Sequence, residues 1–284
     1  MRVGLILSGA LAKGAYEIGA LKAISEFFTP GEISYLSTAS VGAVIGYAYV
    51  CDRLDFAEES MLALNEKQSK VFVKSVMSSG FFDRIVTELA AQELSCKRFY
   101  TSLLSLNHRK CCYLNLTDRD EKERYQYLKA TMAFIPLVKP VKIGSDHFID
   151  GAFVDNIPIY PLRKHKLDYV ICIHFDKHEY TFESPSTDSR IIKIVFNEDK
   201  ELLSKSLWIT RERTEQMLED GYKRAKQILN YVFAEGTDAL DTIYERIGVL
   251  NSIRPIKENR VTGDIVINNL SKFTRTLTKA EVLD

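Results

Sequence analysis

The chain of 284 residues has no excess charge of either sign, since Lys plus Arg and Asp plus Glu both number 38. Overall charge therefore supplies no attraction to nucleic acid, and any pull toward an anionic surface must come from a local patch. Nor does any apolar run approach the roughly 18 residues of a membrane-spanning helix. If lipid is involved, it is expected to be approached from the water side. The five cysteines, Cys51, Cys96, Cys111, Cys112 and Cys172, make no CxxC pair and no metal-ligand spacing. That argues against a disulfide framework or a zinc site and fits a reducing cytoplasm. No H-E-x-x-H or similar cluster suggests a metal hydrolase, so neither metal nor cofactor is expected. Internal repeats and low-complexity tracts are also missing. The opening residues 1–16 carry one arginine and an apolar run that stops at Ser8-Gly9, which reads as a buried strand and a turn rather than a signal peptide.

What is present is an ordinary globular composition, 46% hydrophobic and 27% charged, with enough length for one α/β domain and a sizeable core. Val3–Leu7 is a continuous apolar run, the pattern of a strand covered on both faces. Ile18, Leu21, Ile24 and Phe28 then recur at helical spacing until Pro30-Gly31 ends the helix. Residues 34–37 repeat the theme, followed by VGAVIGYAYV, apolar nearly all round as a buried helix would be. Repeated strand, turn and helix units predict parallel strands with crossover helices on both faces and reactive groups at the carboxyl ends of the strands. From about Asp55 to Leu106 the pattern is helical and irregular, broken by Ser78-Ser79-Gly80 ahead of the exposed-looking pair Phe81 and Phe82; this reads as a helical cap insertion. Further strands are expected at 111–116, 141–143, 147–149, 169–174 and, last, 191–196. Helices are expected near 124–133 and, long and amphipathic, over 207–233. The predicted architecture is a three-layer α/β/α fold around a mainly parallel sheet, with a domain over 1–235 and an extension over 236–284 packed on it.

Three segments hold candidate chemistry. STASVGA places Ser40 between a strand and a helix, the geometry of a nucleophile elbow, in which a strained turn lifts a hydroxyl beside a helix N-terminus. Ala39, Gly42, Ala43 and Gly46 are small, as close strand–helix approach requires. Taken alone, a serine beside glycine at a helix start is usually just an N-cap. SGALAKGAYEIGAL, residues 8–21, is a turn whose main-chain N–H groups can face a phosphate or an oxyanion, or are only those of an ordinary tight turn with Lys13 in solvent. FIDGAFVDNIPIYPL, residues 148–162, holds Asp150 in an Asp-Gly turn, with Asn156 and Pro158 shaping the chain beyond it.

Taken in this order, the three segments resemble the patatin-like phospholipase family. Its G-G-G-x-[KR]-G loop is similar to Gly9-Ala10-Leu11-Ala12-Lys13-Gly14, its G-x-S-x-G elbow to Thr38-Ala39-Ser40-Val41-Gly42, and its D-G-[AG] to Asp150-Gly151-Ala152. The likeness continues through 130–143, VDNIPI and LEDGYKRAKQIL, covering about residues 1–233. Ala10, Leu11 and Thr38 depart from family glycines; Leu11 and Thr38 could crowd an acyl pocket.

The resemblance implies hydrolysis of carboxylic esters by a dyad, with Ser40 as nucleophile and Asp150 as its partner. It further implies an oxyanion hole from the amides of Gly9, Ala10 and Leu11, with Lys13, Gly14, Gly42 and Gly151 in support. His174, at a strand end, is the one histidine worth weighing as a third member. The implied substrate is a phospholipid or other acyl ester, met by a cytoplasmic protein with peripheral membrane contact. Residues 71–82, with Val71, Phe72, Val76, Met77, Phe81 and Phe82, are read either as a mobile apolar cap or as helices packed on the core. Arg163-Lys164-His165-Lys166 is read as an anionic head-group contact or a solvated loop. Two rival readings stay open: an esterase or lipase acting on neutral or short-chain esters, and a relative that binds lipid or protein without cleaving it.

Overall fold

The computed structural model of the chain describes residues 1–9, 13–64, 71–72, 75–76, 80–135, 137–176, 179–196, 208–253, 257–264, 266 and 280–283. Burial at every position of β1 (Val3–Leu7) follows from its uninterrupted apolar sequence, which can satisfy two covered faces. Val3, Leu5 and Leu7 face the larger core, and Ile6 faces a smaller core on the opposite side. The chain continues through α1 (Gly14–Ile24), β2 (Ile33–Thr38), α2 (Val41–Val50), α3 (Leu54–Ala63), β3 (Val71–Phe72) and α4 (Phe81–Ala90). It then forms β4 (Arg98–Ser105), β5 (Lys110–Asn115), α5 (Glu121–Thr131), β6 (Val141–Ile143), β7 (Asp146–Asp150), β8 (Tyr169–His174) and β9 (Glu179–Phe182). The last elements are α6 (Pro185–Asp188), β10 (Ile191–Val195), β11 (Trp208–Ile209), α7 (Arg211–Val232), α8 (Leu240–Ile253), β12 (Lys257–Arg260) and β13 (Glu281–Leu283).

Among the described residues the main sheet runs β10-β8-β1-β2-β4-β5-β13, with β7 on β4 and β6 on β7. From β10 to β4 every pairing is parallel, and β4 then takes β5 and β7 as antiparallel partners. The fold is thus α/β with a mainly parallel sheet. One face is covered by α1, α2, α7 and α8 in the larger core. Residues Ile157, Ile159 and Leu162 and β9 cover the other face around Ile6, Val170 and Cys172. On the first face α1 and α7 touch backbone to backbone: a side chain at Gly19 would strike the Leu218 carbonyl, and one at Gly221 the Tyr16 carbonyl.

The structure corrects three expectations. The stretch read as helical through Leu106 turns to strand at Arg98, because β4 is buried along nearly its whole length and pairs on both edges. A helical pattern cannot be told from a buried strand in an apolar run that lacks alternation. The strand at Ile191–Val195 is not the last, since β11, β12 and β13 follow it. Phe81 and Phe82 are half-buried, with ring centroids 5.2 Å apart, and rest against Leu64, Val76, Leu137 and Ile209. Met77 lies outside the described residues. In the extension, Ile243 and Ile247 of α8 sit in the larger core, and β13 pairs in parallel with β5.

Candidate active site

Register brings the two principal candidates to the same place. Leu7 of β1 pairs with Thr38 of β2, and Thr38 with Thr101 of β4. β4 runs on past the end of β2, and there the same edge takes β7, with Leu103 opposite Asp150, while β5 holds the other edge. Ser40 and Asp150 therefore leave neighbouring positions along one strand.

Ser40 has φ 54° and ψ −134°, a positive φ that side-chain-bearing residues rarely adopt. It stands at the N-cap of α2 but makes no side-chain cap hydrogen bond, so its hydroxyl is not consumed in holding the helix. The positive end of the α2 dipole lies behind it. Gly42, two residues on, packs where a Cβ would come within 3.0 Å of the Leu7 and Ser8 carbonyls. Thr38, which stands for the usual elbow glycine, is buried and donates from Oγ1 to Tyr100 O of β4 (3.0 Å).

The turn after β1 is laid directly on this serine. A Cβ at Gly9 would approach Ser40 Cβ to 2.6 Å and Asn156 Oδ1 to 2.7 Å, so only glycine lets the backbone come so near. Gly14 starts α1 against Ile45 and Val41 of α2. Lys13 places Nζ 5.8 Å from the centre of the Phe175 ring. Ala10 and Leu11, expected in the oxyanion turn, lie outside the described residues.

Asp150 is fully closed to solvent. Its Oδ1 accepts from Ala152 N (2.9 Å), while Oδ2 is buried with no hydrogen-bond partner. Burial pushes its pKa up to about 7, and Ser40 and the Ala152 amide pull it back. Ser40 is thus one of the two groups that favour the ionised carboxyl. Gly151 lies flat on β4: a Cβ there would come 2.5 Å from Leu103 N and into the Ser102 carbonyl.

The rest of the loop is tied to the sheet. Asn156 Nδ2 donates to Gly9 O (3.0 Å), Ser37 Oγ to Pro158 O (2.5 Å) and Ser102 Oγ to Asp155 O (3.3 Å). Asp155, fully buried, accepts from Tyr113 Oη (2.7 Å) and Arg260 Nη2 (3.0 Å). Sequence reading missed Asp155, Tyr113 and Arg260; the only signal for the first was its place in VDNIPI. His174 lies between Tyr180 and Phe182, with ring centroids 6.3 and 6.0 Å away. Among the described residues no cluster of ligand side chains could hold a metal, and no helix is long and apolar enough to cross a membrane.

The sequence profile described as patatin-like phospholipase matches residues 5–163, more than half of the chain and all three segments around this site. The chain belongs to the patatin-like phospholipase family. Relatives among curated proteins include lysophospholipase NTE1 of Cryptococcus neoformans, 25% identical over 184 residues, or 61% of this chain and 11% of that protein. NTE1 of Meyerozyma guilliermondii is 24% identical over 189 residues, 60% of this chain and 12% of that protein. The matched region thus spans about a tenth of these relatives. Among solved structures, VipD from Legionella pneumophila superposes with TM-score 0.48 at 12% identity, covering 81% of this chain and 67% of that one. ExoU of Pseudomonas aeruginosa, in its complex with SpcU, gives TM-score 0.41 at 13% identity over 89% and 58%.

Proposed function

We propose that this patatin-like chain is a lipid acyl hydrolase in which Ser40 and Asp150 form the reacting pair. One observation carries the reading: a buried carboxyl with a vacant oxygen stands beside a serine whose strained backbone keeps its hydroxyl out of the helix cap. A carboxylate is an inefficient base for an alcohol at its ordinary pKa, and desolvation of Asp150 narrows that gap. Ser40 Oγ attacks the ester carbonyl as its proton passes to Asp150. Collapse of the tetrahedral species breaks the acyl C–O bond, and the leaving alkoxide takes the proton back from Asp150. Water gives a proton to the same carboxylate and attacks the acyl-serine; the bond from Ser40 Oγ to the acyl carbon breaks, Oγ takes the proton back from Asp150, and the fatty acid leaves. Amides of the turn starting at Gly9, including those of Ala10 and Leu11, are assigned the developing oxyanion; Asn156 holds the Gly9 carbonyl and so orients that turn. Gly14, Gly42 and Gly151 admit the close approaches, and Lys13 supports the turn.

Phospholipid is the proposed substrate class. An open cavity of about 490 Å³ is lined by Tyr16 and Phe196 and, from α7, by Lys223 and Arg224 together with Asp220 and Gln227. Tyr16 lies in the first turn of α1 and Phe196 follows β10, so apolar and cationic groups share this cavity, and it is assigned here to the phosphate-bearing part of the ester. The test is an activity profile across phospholipids, monoacyl lipids and short-chain esters, with labelling by a serine-reactive fluorophosphonate. Labelling lost in Ser40→Ala and turnover of phospholipid vesicles are the expected results. Labelling that persists in that variant would refute the assignment of the nucleophile, and turnover of short esters alone would favour the neutral-ester reading.

A further inference from the structure

The turn after Asp150 is held from outside by a segment distant in sequence. β12 pairs in parallel with β9, Arg260 opposite Phe182, and so delivers Arg260 beneath the turn. Its Nη2 donates to Asp155 Oδ1 at 3.0 Å, and the guanidinium lies 5.2 Å from the centre of the Tyr180 ring. Arg260 is 6% exposed and Asp155 0%. Tyr113 Oη and Ile157 N complete the partners of that carboxylate. The backbone bearing the arginine is anchored as well: Glu183 N donates to Arg260 O (2.9 Å), and Thr262 N to Glu183 Oε1 (2.9 Å). Beyond it, Val266 is fully buried and packs in one cluster with Ile149 of β7 and Val154 of the turn. A polar contact and an apolar contact thus meet the same short loop independently.

We infer that Arg260 is a positioning residue for the acyl-transfer site, and that the segment carrying Arg260 and Val266 completes the turn that bears Asp150. Asp155 sits in the loop between Asp150 and Asn156, one residue that faces Ser40 and one that holds the Gly9 carbonyl. Fixing Asp155 therefore fixes both. Without the guanidinium, Asp155 would be a buried carboxylate lacking a counter-charge, and the loop would have to move to hydrate it. A displacement near 1 Å is enough to lower turnover about a hundredfold when reacting groups must be aligned. The inference rests on the reading of Ser40 and Asp150 as the reacting pair.

The experiment compares Arg260→Met, Arg260→Lys and the double variant Asp155→Asn/Arg260→Met in the full chain. Measurements are made on a monoacyl phospholipid well below the thermal midpoint, with kcat per fluorophosphonate-titrated molecule. Arg260→Met is expected to lower kcat by about tenfold to a hundredfold with KM within twofold, and to speed amide exchange in peptides covering 150–157. Arg260→Lys is expected to recover part of kcat, and the double variant to recover the exchange protection. A folded Arg260→Met protein with wild-type kcat and only a lower thermal midpoint would overturn the inference, as would unchanged exchange in 150–157. If Arg260→Met does not fold, Val266→Ala carries the test: slower turnover at unchanged KM supports it, and wild-type kcat overturns it. Ser40→Ala separates the two claims, because activity surviving in that variant sinks the reacting pair, whereas amide exchange reports on the loop regardless.

Discussion

Asp150 and Asp155 stand in the same loop and are equally closed to solvent, yet their oxygens are treated in opposite ways. Asp155 is met by a phenol, a guanidinium and a main-chain amide, whereas Asp150 receives one amide and keeps Oδ2 vacant. Burial pushes both pKa values up; for Asp155 the nearby Arg260 charge and the Tyr113 hydroxyl oppose that push, and for Asp150 only Ser40 and one amide do. A satisfied carboxylate holds structure. An unsatisfied one is stored free energy available to a proton, which is the property a general base needs near neutral pH.

The comparison can be broken most decisively by removing each acid in turn. Ser40→Ala or Asp150→Asn is expected to cut kcat by at least about 10³-fold with little change in thermal midpoint in acid, at about pH 4. Asp155→Ala should behave in the opposite sense, destabilising the fold by about 3–5 kcal/mol, because it strands the Arg260 charge in the interior; denaturant midpoints read this directly. Equal stability of the two single variants would erase the distinction.

A second expectation concerns pH. The Asp150 carboxyl must be ionised to accept a proton, so kcat/KM should fall about tenfold per unit as pH drops below about 7 and level off above it. Its folded pKa lies above the ordinary 3.8, so protonated Asp150 favours the folded state. That contribution is complete below pH 3.8 and is lost as pH rises through about 7. Asp150→Asn should therefore match wild-type stability in acid and exceed it at pH 8. An acid limb near pH 4 would place the base elsewhere.

Two smaller effects sharpen the picture. Lys223→Ala combined with Arg224→Ala should raise KM for phospholipid by about tenfold or more, as loss of the roughly 1.5–3 kcal/mol carried by a hydrogen bond to a charged group requires, and leave short esters unaffected. His174→Gln should keep kcat within about threefold, since a dyad makes no use of a strand-end imidazole among aromatic rings. A loss comparable to that of Asp150→Asn would make the site a triad.

Much of this was legible in the sequence, and the limits are physical. Ser40 and the β1–α1 and β2–α2 units could be read because the signals are local: an apolar run, small residues at a sharp turn, then helical spacing. The Asp-Gly turn at 150 could be seen but gained its meaning only from the family resemblance. β4 was hidden because RFYTSLLS is buried at seven consecutive positions and so shows no alternation, the mark that separates a strand from a helix. The Arg260–Asp155 pair was invisible for a different reason. It joins residues 105 positions apart, and a lone arginine in a polar tail reads as solvated until the fold carries it inward.

The split allegiance of β4, parallel to β2 through its first half and antiparallel to β7 through its second, has a kinetic corollary. No fragment of the chain shorter than about residues 33–150 holds both pairings, so the hydroxyl and the carboxyl cannot be brought together by local structure alone. Long-range contacts of this kind close late, after their loop entropy has been met by other burial. Esterolytic power would then be the last property to return on refolding, and its reappearance would time the docking of β7 more faithfully than the recovery of helix signal.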